Sequence, residues 1–493
     1  MKLQYSPTYS VLYRCEGDLV TALSNILGHS LEEDTLLPFI KTIGKEFPFT
    51  KKYAFKAILN EDDGTYNLKF YSGYVRTVLE FLKANKIKPI IESLTDKYTC
   101  TDTNVSDVLR DHQKKIVTVC LSKKRGIIKS PTGSGKSYAI AELVRKLNNE
   151  GLKVLVTVPT ISLQNQLTDD INNFRKLHGC ELLDIGAVGG GKYKFKDVTV
   201  GIPNSLSKLD KTKDYLESVD VLIADEVHTC CNATYALMLT SMTNRRISLG
   251  LSATPGCSIF LQGFFGDPIL EIKEAEMIEK DIIMQPLFEF WPAPKAFIAK
   301  SLGEYASNIQ NLTDAHRYKV LSNTYNSVII NNQGRNKLIV NKAINCIENV
   351  SLGPVLIIVN KVKGEYSHAD ILVDLFKEKG YTLPVISGYI SKKKKEKLIN
   401  DLKESKIVGA IAGPKVLSAG ISIPSLSTII LAGAGRSDSE FIQRVGRILR
   451  KKEGKDRPLV IDFKDPQYWF ASQSRSRILT AEQIYGSDNI IIK

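Results

Sequence analysis

The stretch GIIKSPTGSGKSYAIAELVRKLN, residues 126–148, decides the fold. GIIKS (126–130) is an apolar run of strand length, and SYAIAELVRKLN (137–148) sets Ala139, Ile140, Leu143, Val144 and Leu147 at helical spacing. Between them, SPTGSGKS (130–137) has the composition of a phosphate-binding loop. Gly133 and Gly135 let backbone N–H groups close around phosphate oxygens, Lys136 can reach the β- and γ-phosphates, and Ser137 can hold Mg²⁺. Pro131, Thr132 and Ser134 complete the loop. The phosphates of ATP would then sit at a helix N-terminus, where the dipole favours an anion. Ser130 stands where the generic pattern has its first glycine, so the strand and helix on either side carry the reading against an incidental glycine-rich turn.

Outward from this loop, short apolar runs alternate with amphipathic segments. KVLVTV (153–158), DVTVGI (197–202), DVLIADE (220–226) and RISLGLSAT (246–254) read as buried strands, and alternation of this kind builds a parallel sheet covered on both faces. A second set starts near 354 with VLIIV (355–359), PVISG (384–388), VGAIAG (408–413), STIILAG (427–433) and PLVIDF (458–463). It has helical segments but no phosphate loop. MQPLFEFWPAPK (284–295) carries three prolines and is expected to cross between the two sets. At the other end, YAFKAIL (53–59), NEDDG (60–64) and TYNLKFY (65–71) read as a hairpin before a helix through VRTVLEFLKANK (75–86). The division expected is a small α+β domain over 1–98, an ATP-binding lobe over 99–290 and a second lobe over 291–493. Residues 1–98 are expected to be separable, with ATPase activity surviving their removal.

The chain has 493 residues, too many for one core, so about two to four domains are expected. No apolar run reaches the roughly 20 residues of a membrane span, and MKLQYSPTYSVLYRCEGDL (1–19) is not expected to act as a secretory signal. The eight cysteines fall in no regular frame, which suits reduced thiols in a cytoplasmic compartment. An excess of 67 Lys and Arg over 53 Asp and Glu favours a polyanionic partner, most simply nucleic acid.

VLIADEVHTCCN (221–232) poses a choice, because Asp225, Glu226, His228, Cys230 and Cys231 can all bind metal. Adjacent cysteines lack the spacing that lets two thiolates converge on zinc, and Cys257 is alone, so no zinc is expected. Asp225 and Glu226 instead close an apolar strand 89 residues after Lys136, at the strand end where open α/β sheets bind ligands. There Asp225 can hold Mg²⁺ through water while Glu226 polarises an attacking water.

At this point the chain resembles the superfamily 2 helicases over roughly residues 108–465, with Asp225-Glu226-Val227-His228 as the DExH box. The resemblance implies two RecA-like parallel-sheet lobes behind the small N-terminal domain. It implies adenine recognition by Gln113 in LRDHQ (109–113), and nucleic-acid contact by Pro159 and Thr160 in VPTISLQNQ and by Ser205 in VGIPNSLSK. Ser252, Ala253 and Thr254 would couple the phosphate site to the strand groove, and Gly420 in AGPKVLSAGISIP (412–424) would belong to motif V. FIQRVGRILR (441–450) resembles motif VI, with Gln443, Arg447 and Arg450 as catalytic residues. The two arginines, three apart on an expected helix, would project to one face and neutralise charge on the γ-phosphoryl group.

Ser422 replaces the Asp common in motif V, and with IGAVGGGKYKF (185–195), FFGDPILEI (264–272) and NNQGRNKLI (331–339) it resembles the bacteriophage branch-migration helicases of the UvsW type. That likeness implies an ATP- and Mg²⁺-dependent DNA motor on forked and four-way junctions in recombination, repair and replication, acting in the host cytoplasm. Other readings are an RNA helicase, the translocase of a restriction or remodelling assembly, and a nucleotide-gated clamp. The lysines 392–395 and 397 read as a solvated helix face.

Overall fold

The computed structural model describes residues 1–27, 55–93, 98–102, 104–230, 232–256, 259–349, 352–364, 367–414, 416, 423, 425–435, 438–451 and 454–493. The chain folds into two compact units. One is Met1–Ser130 with Gly135–Ile272, and the other is Lys273–Lys493 with Pro131–Ser134. Among the described residues no helix is long and apolar enough to cross a membrane.

The first unit holds two sheets. The smaller is formed by β1 (Lys2–Tyr5), β2 (Tyr9–Cys15), β3 (Phe55–Leu59), β4 (Tyr66–Tyr71) and β5 (Ile90–Ser93), in the order β3-β4-β2-β1-β5. β3 and β4 form the expected antiparallel hairpin, and a helix follows over Val75–Ala84. The larger sheet runs through β6 (Arg125–Lys129), β7 (Val154–Thr157), β8 (Gly186–Gly189), β9 (Lys192–Lys194), β10 (Val198–Gly201), β11 (Val221–Asp225), β12 (Ile247–Ser252) and β13 (Pro268–Glu271). Its order is β13-β6-β12-β11-β7-β10-β8-β9, and all neighbours except β8 and β9 are parallel. The central strands are apolar throughout because helices cover both faces: β7, β10 and β12 are buried at every position.

The small sheet is not a separate body. One continuous hydrophobic core takes in Leu12, Leu68, Phe70 and Tyr71 from it together with Leu239, Leu261, Phe264 and Phe265 from the larger sheet's flank. Tyr71 packs edge-on against Phe264 with ring centroids 4.9 Å apart. Pro7 offers its carbonyl oxygen to two guanidinium groups, Arg125 Nη2 at 2.7 Å and Arg245 Nη2 at 3.1 Å. Arg245 is fully buried, and desolvation, then the like charge of Arg125, pushes its pKa down to about 9. The chain therefore departs from the expected division at residue 98. Burial against another segment of the same chain leaves no periodicity of its own, so the sequence pattern could not reveal it.

The second unit contains β14 (Leu287–Pro292), β15 (Val355–Ile358), β16 (Val385–Ile386), β17 (Gly409–Ala412), β18 (Thr428–Leu431), β19 (Leu459–Lys464) and β20 (Ile490–Ile492), in the order β16-β17-β15-β18-β19-β14-β20. β14 corrects the proline-rich crossing expected at 284–295. It runs parallel between β19 and β20, with Phe288 and Phe290 fully buried on one face. Pro286 and Pro292 flank or end the strand, where a missing N–H removes little of the ladder. A boundary at 290 would cut this strand, and the second unit instead takes in the chain from Lys273.

Two changes test the shared core. Removing residues 1–93 should abolish the cooperative fold of the first unit and with it ATPase activity, read as soluble yield and near-ultraviolet circular dichroism. Phe264→Ala should destabilise the protein by about 3–5 kcal/mol in denaturant titration.

Candidate active site

β6 delivers the chain into the phosphate loop. Ser130 donates its N–H to the Ser252 carbonyl at 3.0 Å, which ties the loop to the end of β12. Gly133 and Gly135 have φ of 88° and 82°, left-handed values that a side chain would strain. Gln113 braces the second of them. Its Oε1 accepts from the Arg110 N–H at 2.9 Å, and its Nε2 donates to the Gly135 carbonyl at 3.0 Å. A Cβ on Gly135 would lie 2.4 Å from that Nε2. Ser134 Oγ donates to the Pro131 carbonyl at 2.8 Å, and Lys136 Nζ to the Ser130 carbonyl at 2.9 Å. Thr132 and Ser137 are half-buried, Ser137 in the first turn of the helix Lys136–Asn149.

β11 is apolar and buried until its last residue, Asp225. Glu226 follows with φ 53°, an uncommon conformation for a residue with a Cβ. Such strain persists where the surroundings enforce it, and it gathers at functional sites. Asp225 Oδ1 accepts the Glu226 N–H at 3.0 Å. His228 Nδ1 lies 3.5 Å from Glu226 Oε2 and 2.9 Å from Ser252 Oγ, and Ser252 Oγ also accepts the Thr254 N–H at 3.1 Å. Burial lowers the His228 pKa; the Glu226 carboxylate opposes that shift and the Lys136 ammonium adds to it. The phosphate loop, Asp225-Glu226-Val227-His228 and the SAT segment thus meet at Ser252, with Lys136 and Glu226 both felt at one imidazole.

Asp225 and Ser137, the residues expected to hold Mg²⁺, both offer oxygen donors, which suits that ion. Glu226 Oε2 is buried with no hydrogen-bond donor among the described residues. A water or a ligand group fits that oxygen. Cys230 is buried, and Cys231 and Cys257 lie outside the described residues.

Other sequence-derived candidates have local work. Pro159 joins β7 to the helix Ile161–Leu177, whose first turn Thr160 caps by accepting the Leu163 N–H at 3.3 Å. Ser205 is half-buried in the short helix Pro203–Leu206, and Ala253 is buried beside Ser252.

In the second unit Gln443 lies on the helix Asp438–Gly446. The helix expected to run on to Arg450 stops there. Arg447 is buried in the turn that follows, with its N–H 3.3 Å from the Arg444 carbonyl, and Arg450 forms an antiparallel bridge with Ile283. Met284 donates its N–H to the Leu449 carbonyl, and Lys455 Nζ caps the carbonyls of Ile448 and Arg450. Gly446 is a poor helix residue, and this backbone capture outweighs the helical pattern. The shared helical face expected for the two arginines is therefore corrected. Gly420 and Ser422 lie outside the described residues.

Sequence reasoning missed the frame behind this helix. The loop Ala432–Gly435 gives every carbonyl to a side chain: Ala432 to Arg335, Gly433 to Tyr325 and Asn360, Ala434 to Asn360, and Gly435 to Arg477. Arg335 and Arg477 are in turn held bidentate by the buried carboxylates of Asp465 and Asp462. The available signal was VIDFKD (460–465), two acids at the end of an apolar strand.

Residues 106–256 match the family described as type III restriction enzyme, res subunit, and residues 338–452 match the helicase conserved C-terminal domain. The chain is 26% identical over 372 residues to the DNA 3'-5' translocase XPB2 of Sulfurisphaera tokodaii, covering 70% of this chain and 79% of that protein. It is 24% identical over 363 residues to the ATP-dependent DNA helicase uvsW of Enterobacteria phage T4, covering 72% of this chain and 68% of that protein. Among solved structures, S. cerevisiae Dbp5 bound to RNA and ADP BeF3 shares the fold, with a TM-score of 0.53 at 14% identity over 84% of this chain and 92% of that one.

The imidazole of His228 should titrate below the ordinary value near 6.5, as followed by side-chain NMR. Its folded-state pKa is depressed, so its contribution to stability is full above the unfolded value and is lost as pH falls through the folded one. Gln113→Ala should weaken ATP binding by about tenfold in calorimetry by releasing Gly135, at the roughly 1.4 kcal/mol expected for a lost buried hydrogen bond.

Proposed function

We propose that this chain, which belongs to superfamily 2 of the helicases, is a DNA motor that remodels forked and four-way junctions. The observation that carries the reading is the convergence of Ser130, His228 and Thr254 on Ser252, because it joins a phosphate loop to a water-activating carboxylate and to a relay. Helicases of this family hydrolyse ATP and act on nucleic acid. The choice of DNA rests on the likeness to a DNA translocase and a DNA helicase, each across about 70% of this chain.

In the proposed cycle Lys136 and the amides of Thr132–Ser137 cradle the β- and γ-phosphates, and Gln113 keeps the loop in shape. Ser137 and Asp225 would hold Mg²⁺, which neutralises charge on the phosphate oxygens when bound. Glu226 takes a proton from water as the water oxygen bonds to the γ-phosphorus and the bond to the bridging oxygen breaks, leaving ADP and phosphate. Arg447 and Arg450, with Gln443, would stabilise the charge that develops. Ser252 and Thr254 would pass the change toward the strand contacts at Pro159, Thr160 and Ser205, and Gly420 would belong to the second lobe's share of the cycle. Residues 1–98 would add to junction recognition. Contacts to backbone carry no sequence information, so substrate choice should follow shape. The site of action would be the cytoplasm of a phage-infected host.

The test is ATP turnover of the full chain with forked DNA, a four-way junction, linear duplex or single-stranded RNA. Forked and four-way DNA should stimulate most, and preferential stimulation by RNA would sink the DNA assignment. Glu226→Gln and Lys136→Ala should each lower kcat by on the order of a hundredfold or more, and Glu226→Gln should leave ATP binding intact.

A further inference from the structure

We infer that the helices Lys300–Ser307 and Asp314–Tyr325 form an aromatic platform on which unpaired bases of the nucleic acid stack, a site built from residues other than those assigned to the nucleotide and to the strand contacts named above. The inference rests on the motor reading and adds the surface that holds a separated strand.

A helix laid on a core buries part of every turn. Here His316, Arg317, Tyr318 and Lys319 are four consecutive residues and all are exposed. Tyr318 is 77% exposed, Tyr305 on the companion helix 48%, and Phe297 just before it 98%. Tyr305 and His316 stack across the pair with ring centroids 5.9 Å apart and planes 22° from parallel. These rings contribute almost nothing to a core, yet the backbone on either side of them is anchored. Gln467 clamps the backbone of Ala296 through both ends of its amide, at 2.6 and 3.0 Å. Tyr325 OH donates to the Gly433 carbonyl at 2.6 Å, and Val328 and Ile329 pack on Phe470. The base of the hairpin is therefore fixed while its outer turn faces water.

Charge indicates the occupant. Arg317 and Lys319 flank Tyr318 in sequence, Lys295 and Lys300 flank Phe297, and Glu304 and Asp314 are the only acids between 295 and 325. Exposed rings interleaved with cations match a strand of nucleic acid, whose bases stack while its phosphates are neutralised. A protein partner with the same footprint would have to bring acids, and its binding becomes an outcome of the test.

The experiment uses the full chain and a fluorescein-labelled oligo-dT strand of 20 nucleotides, read by anisotropy at two salt concentrations. Phe297→Ala with Tyr318→Ala should weaken binding at least tenfold, and Tyr318→Trp in the Phe297→Ala background should recover part of it. Arg317→Glu with Lys319→Glu should weaken binding and flatten its salt dependence. Turnover without nucleic acid and the thermal midpoint should stay at parental values, since these side chains are exposed and lie outside the nucleotide site. Unchanged strand affinity in the aromatic pair overturns the platform and leaves the motor reading standing, as does a loss confined to self-association in sedimentation. A parental chain that binds no strand and turns over no ATP overturns the motor reading, and the platform with it.

Discussion

The site depends on the parallel register of three strands. β12 lies between β6 and β11, with Ser252 level with Lys129 and Leu251 level with Asp225. Strands that end level present their last residues to one another. The residue after β6 opens the phosphate loop, the last residue of β11 is the first acid of the DExH box, and the last residue of β12 is the serine that touches both neighbouring segments. Lys129 and Val221 are 92 residues apart in sequence, and a single strand separates them in the sheet. Because these strands are buried on both faces, their pairing cannot slip without moving apolar side chains out of the core.

What could be read from residues alone follows the same logic. Strands buried on both faces announce themselves as apolar runs, and the phosphate loop is legible because only glycine takes φ near 80° beside a Gln113 amide without cost. The failures have physical causes too. FIQRVGRILR keeps a helical pattern past Gly446, but Ile283, Met284 and Lys455 capture the backbone of Ile448–Arg450, and all three are remote from the helix or follow it. LFEFW alternated apolar and partly exposed positions in the manner of a strand, and its flanking prolines masked it. The first two strands and the shared core around Phe264 arise from tertiary burial, which has no local period. The turn at Glu226 was also hidden, since nothing in the sequence marks a left-handed glutamate.

The second unit fixes its loops differently. Buried ion pairs are poor sources of net stability, because removing two charges from water offsets most of their attraction. Arg335 with Asp465 and Arg477 with Asp462 nevertheless occupy the ends of β18 and β19, each carboxylate holding its guanidinium bidentate while the remaining N–H groups reach loop carbonyls. A hydrophobic pair of equal volume could fill the space but could not hold the Ala432 and Gly435 carbonyls at the two ends of this loop. The arrangement fixes the direction in which the chain leaves β18 toward the helix that bears Gln443, so its value lies in geometry.

His228 joins the electrostatics of the first unit to its mechanics. Burial pushes its pKa down, the Glu226 carboxylate opposes that and the Lys136 ammonium adds to it, so the net shift is downward and favours the neutral imidazole. Any anion placed against Lys136 weakens one of the depressing influences, and any cation beside Glu226 weakens the opposing one. Two ligands of opposite charge at this site therefore act on the same hydrogen bond in opposite senses. Ser252 Oγ shares that bond with the imidazole and also accepts the Thr254 N–H, so a shift in the imidazole is felt by the segment that leaves β12. Each link is a hydrogen bond of about 3 Å, and the group they share, Ser252, is fully buried.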